Sequence, residues 1–253
     1  MLLIGLGDSI TAGLGARKGY SYFDRLLENP DDEWPDLTDI NLRKVFPNLE
    51  STNLAMSGST SLDHQRRQLP RLPAGDSNTL AIVVFTTGGN DLIHDYGRSE
   101  PREGAMFGAS WEQAQPWIVN FAARLEQMLD EITARFPGGC EIFLADIYDP
   151  TDGTGSARRV GLPSWPDSLR IHSAYNEIIH TAVARRENVH LVNLHEPFLG
   201  HGLGCRRIWS QHYRRDDPHY WFWINLEDPN ERGYDAIRRL FLLTMSETRH
   251  RLR

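Results

Sequence analysis

The stretch Gly7-Asp8-Ser9-Ile10-Thr11 organises the chain. It follows the apolar run from Met1 to Leu6, which is long enough for one buried strand, and a glycine breaks that run just before a serine. The pattern predicts that Ser9 lies where a first strand turns sharply into a helix. In open α/β folds this edge of the sheet binds ligands, and helix N-terminal amides can stabilise an anion there. The polar residues of the stretch are also ordinary turn and cap residues, so the stretch alone leaves the function open.

Length and charge restrict the class of protein. The chain has 253 residues and 40% hydrophobic content, which predicts one substantial core and a single domain over residues 1–253. Loop insertions are predicted near residues 29–50, 92–110, 148–167 and 200–228. The 34 acidic and 27 basic residues give a net charge of −7. This charge argues against a nucleic-acid partner and suits a neutral or mildly polar small molecule.

Apolar runs alternate with segments of helical period along the chain. The run Thr79–Thr86 is apolar throughout its centre, which is typical of a strand covered on both faces of a parallel sheet. The predicted strands are Met1–Leu6, Ser51–Leu54, Thr79–Thr86, Cys140–Ile147 and Val189–Leu194. The predicted helices are Tyr20–Glu28, Ser61–Leu69, Trp111–Phe136, Ser168–Arg186 and a last one after Asp228. The alternation predicts a three-layer α/β/α sandwich on a five-stranded parallel sheet, with the long loops converging on one edge.

Two further blocks follow the second and third predicted strands. They are Asn53-Leu54-Ala55-Met56-Ser57-Gly58 and Gly88-Gly89-Asn90-Asp91. Together with the first stretch, they resemble the signature blocks of the SGNH, or GDSL-type, hydrolases, which are esterases and acyl hydrolases with a serine nucleophile. The resemblance implies a flavodoxin-like SGNH hydrolase fold and a nucleophilic Ser9. It also implies three oxyanion-hole donors, namely the backbone N–H groups of Ser9 and Gly58 and the side-chain amide of Asn90.

The residue that accepts the proton of Ser9 is harder to identify from the sequence. In the family that the chain resembles, the base lies near the C-terminus in an Asp-x-x-His motif that usually runs straight into a Pro-Asn-x-x-Gly helix start. Here Pro229-Asn230-Glu231-Arg232-Gly233 resembles that helix start, yet the residue before it is Asp228. Either the base is missing and the chain is a catalytically silent binding module, or the motif lies further upstream.

We favour the upstream motif, Asp216-Asp217-Pro218-His219, with Tyr220 to Asp228 as a nine-residue insertion. Its spacing and its place in the chain both fit, and Asp228 is explained as a helix cap, with Pro229 at the first helical position. His219 is then the general base and Asp216 holds its tautomer, with Asp217 as the substitute.

The expected activity is hydrolysis of a carboxylic ester through an acyl-enzyme on Ser9. Polar, loop-rich surroundings favour a short acyl group, with acetyl on a carbohydrate as one example, while lipid and thioester substrates stay open. Candidate substrate-binding residues are Asp8 beside the nucleophile and Tyr220, Trp221 and Trp223 beside the predicted base. Loop aromatics of this kind also pack onto the fold, which is the competing interpretation.

No cofactor and no metal are expected. Position 10, where a dinucleotide fingerprint starting at Gly5 needs its third glycine, holds Ile10, and neither a phosphate-binding loop nor a His-Glu-x-x-His motif occurs. Cys140 opens a strand and is expected to be buried, whereas its pairing with Cys205 stays open. No apolar stretch approaches the ~18 residues of a membrane span, and no leader precedes the first strand. A soluble chain is expected, either cytoplasmic or exported with its leader removed, in an oligomeric state that the sequence does not indicate.

Overall fold

The computed structural model describes residues 1–30 and 34–252. Five strands form one parallel sheet in the order β2-β1-β3-β4-β5. The strands are β1 (Leu2–Leu6), β2 (Glu50–Asn53), β3 (Ala81–Phe85), β4 (Cys140–Ala145) and β5 (Val189–Val192). The predicted five-stranded parallel sheet of an α/β fold is therefore confirmed.

Nine α-helices connect the strands within the described residues, and several are single turns. They are α1 (Ser9–Ala12), α2 (Tyr22–Leu27), α3 (Leu42–Val45), α4 (Ser61–Asp63), α5 (Gly89–Ile93), α6 (Trp111–Ala134), α7 (Ser168–Ala184), α8 (His195–Phe198) and α9 (Glu231–Glu247). Short 3-10 turns span Pro35–Leu37, Leu69–Arg71, His94–Gly97, Arg158–Val160 and Arg249–Arg251.

Two apolar clusters cover the two faces of the sheet. Successive residues of β3 point to opposite faces, so Val83 joins the cluster under α6 and α7 while Val84 joins the cluster under α2 and α9. All five residues of β3 are buried. This double burial explains why the sequence of β3 is an uninterrupted apolar run.

The predicted helix Ser61–Leu69 breaks up after α4 into a π-helical turn, His64–Gln68, and then a 3-10 turn. The π turn brings two polar side chains inward. His64 Nδ1 lies 2.9 Å from Thr87 Oγ1, and Gln68 exchanges two hydrogen bonds with the backbone of Gly7, at 2.9 and 2.7 Å. The helical period is lost here because this segment supports the turn before Ser9.

The predicted cap of the last helix is wrong. Asn230 is the N-cap of α9, and its Oδ1 accepts hydrogen bonds from the N–H groups of Arg232 and Gly233. Pro229 therefore lies before the helix, and Asp228 lies two residues before the cap. An asparagine supplies the same kind of acceptor as an aspartate, so Asp228 is not needed there.

Three of the four predicted loop regions, 92–110, 148–167 and 200–228, follow the carboxyl ends of β3, β4 and β5. The fourth, 29–50, leads into the amino end of β2, so the expectation that all long loops converge on one edge is wrong for this segment. Its residues 31–33 lie outside the described residues.

Cys140 and Cys205 are both buried and both carry free thiols. The expected burial of Cys140 in the fourth strand is thus confirmed. Among the helices that the structure describes, none combines the length and the apolar character needed to cross a membrane.

Candidate active site

Ser9 is the first residue of α1 and follows β1 after a tight turn. Asp8 caps this helix: its Oδ1 accepts from the N–H of Ile10 at 3.1 Å and from the hydroxyl of Thr86 at 2.8 Å. Gly7 has a φ of 128°, and a Cβ there would lie 2.4 Å from the carbonyl oxygen of Thr86. Only glycine allows this approach, so the turn before Ser9 packs directly on the end of β3.

The other side of the turn is held by polar groups buried beneath it. The hydroxyl of Thr11 lies 2.7 Å from the hydroxyl of Tyr22 and 2.9 Å from that of Thr86. Burial, together with the nearby charge of Asp228, raises the pKa of Asp8 to about 6. The nucleophile candidate therefore sits on a fully hydrogen-bonded support.

The three predicted oxyanion donors lie at the ends of β1, β2 and β3. Within the described chain, the backbone N–H groups of Ser9 and Gly58 donate to no protein acceptor. Gly58 is exposed, with a φ of 76°. Asn90 Nδ2 donates one hydrogen bond to the carbonyl of Ser59 at 3.0 Å, which leaves its second amide hydrogen available.

A cavity of about 150 Å³ opens beside Ser9 and Asn90. Gly58 is not in its wall. Most of the wall is apolar, and its large side chains include Leu92, Ile93, Phe107, Leu162, Trp165, Leu194 and Leu226. The polar surroundings expected from the loop sequences are therefore not what the substrate would meet.

Asp228 lies against Ser9. It is fully buried, and its contacts with the Ser9 hydroxyl and the Asn225 amide partly offset the rise in its pKa that burial causes. Asn225 Nδ2 donates to Asp228 Oδ2 at 2.5 Å, and the backbone N–H of Asp228 donates to Asn225 Oδ1 at 3.2 Å. Asp228 Oδ1 is buried without a well-aligned hydrogen bond. One carboxylate oxygen is thus fixed by Asn225, and the other is uncommitted.

Glu227 is one of four carboxyl side chains in the cavity wall, with Asp8, Asp146 and Asp149, whereas Asp228 contacts Ser9 without lining the wall. Burial raises the pKa of Glu227 to about 7, a hydrogen bond from the Tyr96 hydroxyl lowers it, and the charges of Asp228 and Asp8 raise it further. Asp8, Glu227 and Asp228 therefore lie close together where solvent is scarce, and this setting raises the pKa of each carboxyl group.

His219 lies elsewhere, in an exposed part of the loop after β5. Its Nδ1 contacts the carboxylate of Asp217, and its carbonyl oxygen accepts from His201 Nδ1 at 3.0 Å. Asp216 is exposed and makes no hydrogen bond to His219 in the described residues. His219 is absent from the cavity wall and has no hydrogen bond to Ser9 there.

The predicted substrate-binding aromatics pack on this same loop. Trp221 stacks on His201 with ring centres 3.5 Å apart, and the ring of Tyr220 lies 5.7 Å from that of Phe222. Trp223 covers Gly15 and is 37% exposed. None of the three predicted aromatics lines the cavity, whereas Asp8 does.

His172 is the one histidine of the described chain in the cavity wall. Its Nε2 lies 2.9 Å from the carbonyl oxygen of Ile147, to which it donates, so that nitrogen is committed to the backbone. Its ring lies 5.0 Å from that of His195. Among the residues that the structure describes, no group of histidine, cysteine and carboxylate side chains is arranged to hold a metal ion.

Sequence reasoning missed Asn225, Glu227 and the apolar cavity wall. Asn225 could have been found, because it stands three residues before Asp228 and Asp228 directly precedes Pro229-Asn230. The wall could not, because its residues come from loops and helices that lie far apart in the chain.

Comparisons with known proteins identify the family and the fold of the chain. A sequence model of the GDSL-like Lipase/Acylhydrolase family matches residues 6–236. The extracellular lipase of Streptomyces rimosus is similar in structure, with a TM-score of 0.58 and 21% identity over 96% of this chain and 98% of that one. The acetylxylan esterase Axe2 of Geobacillus stearothermophilus has a TM-score of 0.55 and 16% identity over 96% of this chain and 93% of that one. A lipolytic protein of the G-D-S-L family from Veillonella parvula has a TM-score of 0.59 and 13% identity over 97% of this chain and 98% of that one. These structures share the fold of the chain. No curated protein matches the sequence.

Proposed function

The chain belongs to the GDSL-like lipase/acylhydrolase family and is a carboxylic ester hydrolase of that class, and from this premise we propose that it acts through an acyl-enzyme on Ser9. Attack by Ser9 Oγ on the ester carbonyl would place negative charge on the carbonyl oxygen. The N–H groups of Ser9 and Gly58 and the amide of Asn90 would receive that charge. Water would then release the acid and restore Ser9.

The observation that carries this proposal is the place of Ser9. It stands at the start of α1, in the wall of the cavity, with Asn90 in the same wall and an uncommitted backbone N–H of its own. A serine that served only as a helix cap would have no reason to face a substrate-sized space. Asp8, and not Ser9, is the cap.

The cavity wall favours an apolar acyl group. An apolar cavity of about 150 Å³ is large enough to hold benzene, so an acyl chain of about four to eight carbons would fill the space beside Ser9. Each buried methylene would contribute about 0.8 kcal/mol to binding. We therefore place the preferred substrate above acetyl esters in chain length, which revises the expectation of a short acyl group.

The base has two candidates, and the sequence pattern predicts one of them, His219. The contact of Asp217 with His219 Nδ1 would orient the ring as a base requires. In this arrangement the loop that carries His219 would have to bring its Nε2 to Ser9.

The test is hydrolysis of p-nitrophenyl esters from acetate to dodecanoate by the wild type and by Ser9→Ala. We expect an optimum between butyrate and octanoate and a loss of at least about 10⁴-fold in Ser9→Ala. Wild-type hydrolysis no faster than that of Ser9→Ala would instead identify the chain as a silent binding module. An optimum at acetate would return the substrate to the acetyl class.

A further inference from the structure

The segment Asn225-Leu226-Glu227-Asp228 runs directly into Pro229-Asn230. We propose that Asp228, held by Asn225, is the proton acceptor of Ser9 and takes the place that histidine has in other members of the family. The inference rests on the proposed function, because it assigns the base of the same acyl-transfer reaction.

The spacing supports this assignment without any insertion. The family's Asp-x-x-His motif stands directly before its Pro-Asn-x-x-Gly helix start, and Asn225 and Asp228 occupy those two positions here. The side chains also meet as such a pair should, through the 2.5 Å bond from Asn225 Nδ2 to Asp228 Oδ2. The direction of donation is reversed, since the first residue now donates to the second.

This reversal is chemically consistent. An aspartate accepts the N–H of a histidine and so leaves the other ring nitrogen free to accept a proton. Asn225 donates N–H to one oxygen of Asp228 and so leaves the other oxygen, Oδ1, free to accept one. In both cases the residue that contacts the serine keeps an acceptor atom that its partner does not occupy.

As Ser9 Oγ bonds to the acyl carbon, its proton passes to Asp228 Oδ1 and the carbonyl electrons move to the oxyanion. The intermediate collapses, the bond to the alcohol oxygen breaks, and that oxygen takes the proton from Asp228. In the second half, water gives a proton to Asp228 and bonds to the acyl carbon. Ser9 Oγ then leaves and recovers the proton.

The surroundings of Asp228 suit a carboxylate base. The groups that face it are Ser9 and Asn225, the carboxyls of Asp8 and Glu227, and the phenols Tyr96, Tyr148 and Tyr234. Burial raises the pKa of Asp228. A raised pKa brings a carboxylate closer to the basicity that general-base catalysis requires near neutral pH.

The first experiment compares kcat/KM for p-nitrophenyl butyrate among variants of the intact chain. We expect Asp228→Asn, which keeps the shape of the side chain, to lose about 10²- to 10⁴-fold. The rival bases are tested with His219→Ala and His172→Ala, and thermal unfolding of each variant checks that it is folded. An Asp228→Asn variant that is folded and within threefold of the wild type overturns the proposal. So does a His219→Ala or His172→Ala variant as inactive as Ser9→Ala.

The second experiment tests Asn225 as a positioning residue through the pH profile. Asn225→Asp places a second negative charge beside Asp228, which should shift the acidic limb of kcat/KM to higher pH by about one unit. A merely structural role would lower the rate at all pH values without moving the limb, and that result would overturn this part of the proposal.

The double variant Asn225→Asp with Asp228→His restores the family's pair. We expect it to recover at least about tenfold over Asp228→Asn, with an acidic limb near the histidine value of about 6.5. A double variant that is no faster than Asp228→Asn would show that position 228 is not the base position. If the wild type itself shows no Ser9-dependent hydrolysis, the proposed function fails and not merely the identity of the base.

Discussion

Two regions at the carboxyl edge of the sheet both carry a plausible base, and they differ in almost every physical respect. The inner edge consists of Ser9, Asn225 and Asp228: Ser9 and Asn225 line the cavity, and Asp228 is fully buried in contact with both. The outer loop consists of Asp217, His219, His201 and Trp221, in which a histidine pairs with an aspartate two residues earlier. The inner edge places a carboxylate in contact with the serine but contains no histidine. The outer loop has the histidine but no contact with the serine.

Motif spacing alone does not choose between these two regions. A short spacing such as Asp-x-x-His can occur in an exposed loop away from the cavity wall, as it does at His219. Asp228 is fixed by its neighbours, since its carbonyl accepts from the N–H of Trp223 at 2.7 Å and α9 begins three residues later. A residue next to a well-capped helix keeps its position relative to the sheet, so Asp228 keeps its place beside Ser9.

The largest of these effects concerns Asn90, which lies in the same cavity wall as Ser9. Asn90→Ala should lower kcat by about 10²- to 10³-fold, or ~2.7 to 4 kcal/mol, because an oxyanion donor is lost. KM for p-nitrophenyl butyrate should change little, since the charge forms only in the transition state. A Gln65→Ala variant, which removes an exposed amide near Gln127, is the control. An equal rise in KM with unchanged kcat would show that Asn90 binds the ground state.

The outer loop should show the opposite behaviour. Trp221→Ala removes the stacking on His201 and the edge contact with Phe198, and we expect it to lower the free energy of unfolding by about 2 kcal/mol. Activity should stay within about threefold of the wild type. Urea unfolding and steady-state kinetics measure the two effects, with the more exposed Trp223→Ala as the comparison. A higher KM without loss of stability would instead support the sequence prediction that these aromatics bind substrate.

The cavity wall provides a smaller effect on specificity. Leu162→Ala removes part of the apolar wall at a partly exposed position, so longer acyl chains should gain relative to butyrate by about 1 kcal/mol, or roughly fivefold in kcat/KM. The ester series used for the wild type measures the shift. Leu243→Ala, an exposed leucine on α9, is the matched control. An unchanged chain-length optimum would place the acyl group outside this cavity.

The smallest expected effect is a pH dependence of stability. Glu227 has a folded-state pKa of about 7 against 4.5 when exposed, so the folded chain holds its proton more tightly than the unfolded chain. The free energy of unfolding should therefore fall as pH rises from 4.5 through 7, by about 1 kcal/mol after allowance for partial exposure. Glu227→Gln should remove this part of the slope in urea titrations at pH 5 and 8. Glu50→Gln, on the exposed face of β2, should leave the slope unchanged.

Much of the fold could be predicted, because strand burial leaves a local signature. The apolar run of β3 and the serine, glycine and asparagine that follow successive strands indicate both the sheet and its active edge. The π turn after α4 was not foreseen, since His64 and Gln68 are polar and their inward hydrogen bonds depend on Thr87 and Gly7, which are distant in the chain.

The position of Asp228 was harder to predict for a different reason. Aspartate followed by proline is a good helix start, but so is Asn230 two residues later, and local chemistry does not choose between them. Asp228 instead contacts Ser9, which lies more than two hundred residues away in the chain. The apolar cavity wall has the same property, because polar loops contribute single apolar side chains that only the assembled fold brings together.

The short loop from Trp223 to Asp228 closes on itself. Its two ends are joined by the bond from Trp223 N–H to the Asp228 carbonyl, and just outside them Phe222 pairs with Pro229. Because the loop begins and ends beside the start of α9, substitutions of Leu226 or Glu227 can change the cavity wall while the backbone of the last helix stays in place. The loop is also held from outside, since the carbonyl of Glu227 accepts from the hydroxyl of Tyr148 and Trp223 covers Gly15.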